Sequence, residues 1–246
     1  MSDVDDAGER VDLTREDFDR AADTFRGAPH QHVLREHLER YRWVRERVSG
    51  RVLDVACGTG YGTGYLSETC EAVGFDRDPT ALARAAVRAP AAEFIQGDLP
   101  HLPFEDASFD FAVSFETIEH VDDDLTFLRQ LRRVVRPNGG VVVSSPVRER
   151  PYLVRPPNQW HVREYTPSEL ESALRKTGFV PVGCFGQGIR SSRFAAVQAE
   201  RVLYRLPQLC RPGRWWDRMI HGNDEVEVVR AKRRPKIVIF ICRTNE

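Results

Sequence analysis

At 246 residues, 41% of them hydrophobic and 30% charged, the chain has material for one α/β domain with additions and needs no second core. Its formal charge of −1 offers no global attraction to nucleic acid or to an anionic membrane, so nucleic acid is not an expected partner. Five cysteines (57, 70, 184, 210 and 242) lack C-x-x-C spacing, which argues against a zinc site or a disulfide framework and for reduced thiols in the cytoplasm. No apolar run approaches the length of a membrane span, and no export signal opens the chain.

Residues 1 to about 12 are acidic and without apolar periodicity. Thr14 and Asp17 then give a helix-start signature before Phe18, and Gly27-Ala28-Pro29 ends that segment. Leu34, Leu38, Tyr41, Val44 and Val48 recur at steps of three and four, which predicts an amphipathic helix over 30–48 with its Arg and Glu residues on a solvated face. Residues 1–49 are therefore read as an N-terminal helical cap on a main domain of 50–246. Of its histidines, His30, His32 and His37 read as surface residues, with a face toward substrate as the alternative.

The main domain opens on Arg51-Val52-Leu53-Asp54-Val55-Ala56-Cys57-Gly58-Thr59-Gly60-Tyr61-Gly62, a strand, a glycine-spaced turn and the start of a helix. Such a turn lets backbone approach a ligand and directs helix N–H groups toward it. A second strand, 72–75, ends at Asp76, and a third, 93–96, is followed by Gly97-Asp98-Leu99. Asp76 lies about twenty residues beyond the turn, where nucleotide folds place a ribose-binding carboxylate. Asp78-Pro79 caps the intervening helix.

With these residues in place, the chain resembles the class I S-adenosylmethionine-dependent methyltransferases. The family string acidic-x-Gly-x-Gly-x-Gly reads here Asp54-Val55-Ala56-Cys57-Gly58-Thr59-Gly60, with Ala56 in place of the first glycine. Leu102-Pro103-Phe104 before Ser108-Phe109-Asp110 adds to the likeness, which spans roughly 33–185. The resemblance implies a Rossmann-like, doubly wound seven-stranded sheet. That sheet is mostly parallel, with its last strand antiparallel and helices on both faces. It implies S-adenosyl-L-methionine as cofactor, with Asp76 on the ribose hydroxyls and Asp98 on the adenine amino group, flanked by Arg77 and Leu99. The backbone at Ala56, Gly58 and Gly60 would lie against the methionyl portion, ordered by Asp54, and Ser114 and Phe115 would border the transfer zone.

Strand 109–114 leads into Glu116, Glu119 and His120, spaced i, i+3 and i+4, so one helical turn would align all three. Similar Glu-x-x-Glu-His strings in ubiquinone-pathway O-methyltransferases imply a divalent cation such as magnesium on these residues. The plainer alternative is that Glu119 and His120 open the next helix. Leu125, Leu128, Leu131 and Val135 stripe that helix, Pro137-Asn138-Gly139-Gly140 stops it, and 141–145 form the fifth strand. The long loop that follows carries Asn158-Gln159-Trp160-His161-Val162-Arg163-Glu164-Tyr165, similar to strings in glycan and natural-product methyltransferases. His120 and His161 are thus the two candidates for moving the acceptor proton. A simple anchoring role for Trp160 and Tyr165 competes with the second of them.

Thr166-Pro167-Ser168-Glu169 begins a further helix with a capping box, strand 179–183 follows, and the most apolar run, 236–242, is the buried last strand. The insertion at about 187–235 holds an amphipathic helix candidate over 194–206 and the pair Trp215-Trp216, readable as a lid, a dimer arm or a plain extension. The expected activity is O-methylation of a sugar, glycan or natural-product intermediate, with an N-methyltransferase of an amino sugar or similar amine as the alternative. The partner is a small-molecule acceptor, and a homodimer is left open. From other classes, an NAD-dependent oxidoreductase lacks support because no Tyr-x-x-x-Lys pair is present. A non-catalytic nucleotide-binding module remains on the same fold.

Overall fold

The computed structural model describes residues 31–148, 156, 158–189, 202–204 and 235–244. Strands β1 (Arg51–Val55), β2 (Glu71–Asp76), β3 (Glu93–Gln96), β4 (Phe109–Phe115) and β5 (Val135–Pro146) alternate with helices except between β3 and β4, which a loop joins. The helices are α1 (Gln31–Arg45), α2 (Tyr61–Ser67), α3 (Pro79–Arg88) and α4 (Asp124–Val134). Helix α5 (Pro167–Lys176) and strands β6 (Phe179–Ile189), β7 (Val202–Tyr204) and β8 (Pro235–Thr244) complete the fold. The sheet order is β3-β2-β1-β4-β5-β8-β6-β7. Strands β1 to β5 pair in parallel, and β8 enters antiparallel between β5 and β6, as the family resemblance implies.

Alternating side chains divide the core between the two faces of this sheet. Val141 and Val143 of β5, with Val238, Phe240 and Cys242 of β8, pack against Leu128, Leu131, Leu170 and Leu174 of α4 and α5. Val142, Ile239 and Ile241 point the other way, onto Leu38, Trp43 and Val44 of α1 and Leu66 of α2. A period of two in the strands, met by periods of three and four in the helices, commits the chain to this layering. Each such aliphatic contributes about 1.5–3 kcal/mol on burial.

Local signals act where the sequence places them. The Asp78 side chain accepts from Thr80 N at the start of α3, and Thr166 with Glu169 forms the full capping box of α5. The 137–140 turn loops out within β5: pairing shifts from Phe109↔Val135 to Phe111↔Gly140, and Asn138 takes φ +62. In the insertion, β7 pairs antiparallel with Cys184, Phe185 and Gly186. Residues 202–204 are therefore an eighth, edge strand rather than the end of a helix, because unpaired β6 backbone captures them; the rest of the 194–206 candidate, Trp215-Trp216 and the 14–18 helix start lie outside the described residues. Cys57, Cys184 and Cys242 are buried free thiols and Cys70 is half-buried and free. Among the described residues, no helix is long and apolar enough to cross a membrane.

Strand order switches direction between the parallel strands β1 and β4, the point at which an open α/β sheet leaves a crevice beyond its strand ends. The glycine turn, Asp76, Asp98 and the segment after β4 all lie at that edge of the sheet.

Candidate active site

The turn after β1 is built from left-handed residues: Ala56 at φ +59, Gly58 at +55 and Gly60 at +74. Ala56 keeps the backbone shape of the glycine it replaces, at a cost of about 1–2 kcal/mol for an L side chain. Gly60 is required by packing, since a Cβ there would sit 2.5 Å from Ala85 Cβ and 2.9 Å from its Cα. Gly58 differs. A Cβ on it would meet nothing within 4 Å, so open space lies over this backbone.

Asp76, at the end of β2, ties that turn down: its Oδ2 accepts from Gly58 N at 2.8 Å and its Oδ1 from Asp78 N at 3.0 Å. Next to it, Arg77, Asp78, Gln96, Gly97 and Asp98 line an open cleft. Arg77 and Asp98 are exposed there and Leu99 is half-buried. The fit to an adenosyl ligand rests on this structure alone: an open ledge of backbone, a carboxylate fixed against it, and a second carboxylate on the neighbouring strand end.

Asp54 takes another role. It is fully buried, with Oδ1 accepting from Tyr41 OH at 2.8 Å and Oδ2 from Thr63 Oγ1 at 2.6 Å. Burial pushes its pKa up to about 7 against the pull of those two hydrogen bonds. Both oxygens are engaged by protein, so Asp54 orders the turn by joining α1, β1 and α2. Gly62 is what lets Tyr41 reach it, because a Cβ at 62 would sit 2.1 Å from the Tyr41 ring.

At the end of β4, Ser114 and Phe115 are buried. Glu116 has φ +51, which breaks the helical turn that the i, i+3, i+4 spacing predicts. Its Oε1 accepts from Ser144 Oγ at 3.0 Å, and only Ile118–His120 form a short 3-10 turn. The ligand atoms that come within 4.8 Å of one another belong to Glu119, His120 and His161, with Glu116 left out. One carboxylate and two imidazoles suit magnesium poorly, since that ion takes oxygen ligands in an octahedral set. Glu119 is 1% exposed, and burial followed by the charge of Glu116 pushes its carboxyl well above the usual range.

The two histidines separate by geometry. His161 uses both ring nitrogens, Nε2 with Asn158 Nδ2 at 3.0 Å and Nδ1 with Glu164 Oε1 at 3.0 Å. It braces a loop whose Val162 and Arg163 amides donate to the Glu119 carbonyl and whose Tyr165 OH donates to Asp124 at 2.6 Å. His120 places Nδ1 2.8 Å from the Trp160 carbonyl, an acceptor, which assigns the proton to Nδ1. Its Nε2 lies 4.0 Å from Glu119 Oε1, and its side chain is 43% exposed.

Helix α1 buries groups that its amphipathic pattern would leave in solvent. Arg40 is 1% and Glu36 7% exposed. His37 is half-buried with Nδ1 2.9 Å from Tyr61 OH, and desolvation, then the Arg40 charge, holds its pKa well below the usual value. The signal was local: Arg40 and Tyr41 stand side by side, and Gly62 has no reason of its own to be glycine. His30 lies outside the described residues, and so does the side chain of His32.

Comparison with known proteins gives this crevice its context. A family model described as a methyltransferase domain matches residues 53–143. The "Probable S-adenosylmethionine-dependent methyltransferase Rv3030" of Mycobacterium tuberculosis is 38% identical over 157 residues, 62% of this chain and 57% of that protein. The O-methyltransferase cnsE of Penicillium expansum is 31% identical over 141 residues, 52% of this chain and 51% of that protein. The chain thus spans a little over half the length of the curated relatives it matches. Among solved structures, YcgJ of Bacillus subtilis superposes with TM-score 0.59 at 18% identity, covering 86% of this chain and 99% of that one. The [4+2]-cyclase SpnF superposes with TM-score 0.59 at 20% identity, over 87% and 83% of the two chains. At such identities these two speak for the fold alone. Taken with the glycine turn, the carboxylates that follow it and the sheet order, the matches make the central part of the chain similar to the class I S-adenosylmethionine-dependent methyltransferases.

Proposed function

We propose that the chain transfers a methyl group from S-adenosylmethionine to a small molecule, by O-methylation of a sugar, glycan or natural-product intermediate. The observation that carries the reading is the Asp76–Gly58 tie beneath an open backbone ledge, continued by the Asp98 cleft. Relatives support the acceptor class: cnsE is named an O-methyltransferase, and a Mycobacterium ulcerans relative, 31% identical over 150 residues, is named a phthiotriol/phenolphthiotriol dimycocerosates methyltransferase. Buried free thiols support a reducing, cytoplasmic setting.

When bound, the cofactor supplies an electrophilic methyl on a sulfonium, so the protein has only to align the acceptor and accept its proton. Asp76 takes the ribose hydroxyls while keeping the turn in place, and Asp98, with Arg77 and Leu99, takes the adenine end. The Ala56–Gly60 backbone receives the methionyl portion. Phe115 and Ser114 wall the transfer zone. His120, its Nδ1–H held by the Trp160 carbonyl, presents Nε2 as the base for a hydroxyl acceptor; His161 positions the loop that carries this carbonyl.

The test is turnover of isotopically labelled methyl donor across a panel of sugar and natural-product alcohols and amines, for the wild type and His120→Gln. The reading expects methylated alcohol from the wild type. It expects a loss of about a hundredfold in the variant with S-adenosylhomocysteine affinity unchanged. Amine products made equally well by His120→Gln would assign N-transfer instead.

A further inference from the structure

The guanidinium of Arg40 is buried, yet it is only partly used. Nη1 donates to Gln187 Oε1 at 2.6 Å, across 147 residues of sequence. Gln187, itself 4% exposed, donates from Nε2 to the Glu36 carbonyl at 2.8 Å, which fixes its amide orientation and with it the guanidinium. Nε and Nη2, the two donors that form the parallel fork of an arginine side edge, have no hydrogen-bond partner among the described residues. A desolvated cation with three of its five N–H donors unmet is costly to bury unless something satisfies them.

The surroundings say what that something is. Arg40 borders a small pocket, open on one side and with about 20 Å³ of room, enough for the oxygens of a carboxylate reaching in from outside, which it shares with Trp43, Phe185, Gln187 and Ile239. Its Cζ lies 5.8 Å from the Phe115 ring, the side chain that closes β4 at the transfer zone. Glu119, also buried, leaves both carboxyl oxygens without a hydrogen-bond partner among the described residues, and the guanidinium attracts it without a direct contact. A single positive charge, with Glu39 on the rim and Glu119 nearby, favours a planar monoanion over a dianionic phosphate.

We propose that Arg40 anchors a carboxylate carried by the methyl acceptor, gripping it through Nε and Nη2, with Gln187 as the positioning residue. This rests on the methyl-transfer reading and adds the acceptor's charge to it. The test uses protein saturated with S-adenosylhomocysteine and titrated calorimetrically with benzoate, its neutral isostere benzamide, and inorganic phosphate.

Benzoate is expected to bind the wild type at least tenfold more tightly than either other probe. Arg40→Gln should lose benzoate affinity at least tenfold while S-adenosylhomocysteine affinity stays within twofold, and Arg40→Lys should fall between them. Equal binding of benzoate and benzamide, no benzoate binding, or tighter binding of phosphate overturns the proposal. So does an Arg40→Gln protein that loses S-adenosylhomocysteine instead, since the guanidinium would then serve the methyl donor's own carboxylate. Should the Gln variant fail to fold, the wild-type comparison of benzoate with benzamide decides alone. Failure of the wild type to bind S-adenosylhomocysteine sinks the methyl-transfer reading, a result distinct from all of these.

Discussion

Along the β1–β3 side of the crevice, the polar groups are backbone amides and exposed carboxylates drawn from one short stretch, Gly58 and Asp76 lying 18 residues apart. Along the β4–β6 side they are buried side chains gathered from far apart, with Arg40 and Gln187 separated by 147 residues. The first side presents a pre-shaped ledge, which the proposed function assigns to the cofactor. The second is tailored by tertiary packing, and the proposed acceptor contact at Arg40 lies there.

Substitutions at the ledge sharpen this contrast by separating packing from ligand space. Gly60→Ala pushes a Cβ into Ala85 while holding a left-handed φ, so about 3–4 kcal/mol of stability should be lost in urea unfolding. Gly58→Ala carries only the backbone cost of about 1–2 kcal/mol, and its main effect should fall on S-adenosylhomocysteine affinity. Equal destabilisation by the two would break the distinction.

Asp54 gives the next effect. Its pKa in the folded protein is raised to about 7, against about 3.9 in an unfolded chain. Between those values the native state holds a proton that the unfolded state has released. Stability should therefore fall as pH rises from about 4 to 7, and it should flatten above. Asp54→Asn should remove that slope, as denaturant melts at several pH values would show; a slope unchanged in the variant would assign it elsewhere.

Asp76→Ala should weaken S-adenosylhomocysteine binding by about 1–3 kcal/mol with a smaller effect on melting, because the residue is half-exposed and its partners are backbone amides. The smallest effect comes from Ala56→Gly. It relieves a left-handed alanine at φ +59 against the entropy of a freer glycine, and thermal unfolding should show a gain of about 0.5 kcal/mol.

The difference between the two sides also explains what could be read from the chain. Asp76, Asp98 and the glycine turn announce themselves because each lies next to a strand end whose apolar run is visible in one dimension. Asp54 belongs to the same string, but only the fold shows both its oxygens bound to Tyr41 and Thr63 rather than open to a ligand. Glu116 reads as a helical partner of Glu119 until the φ of +51 turns it toward Ser144. Arg40 reads as a surface charge because amphipathic periodicity cannot tell a solvated face from one covered by a strand 147 residues later. Edge strand β7 is hidden in the sequence for a similar reason: strand pairing with β6, not local propensity, decides residues 202–204.

The central claim is that the ledge over Gly58, with Asp76 and Asp98, is shaped for an adenosyl sulfonium. Calorimetric titration of the wild-type protein with S-adenosylhomocysteine and, separately, NADH addresses it most directly. The account predicts saturable one-to-one binding of S-adenosylhomocysteine and none of NADH; a silent S-adenosylhomocysteine titration, or preference for NADH, would contradict it.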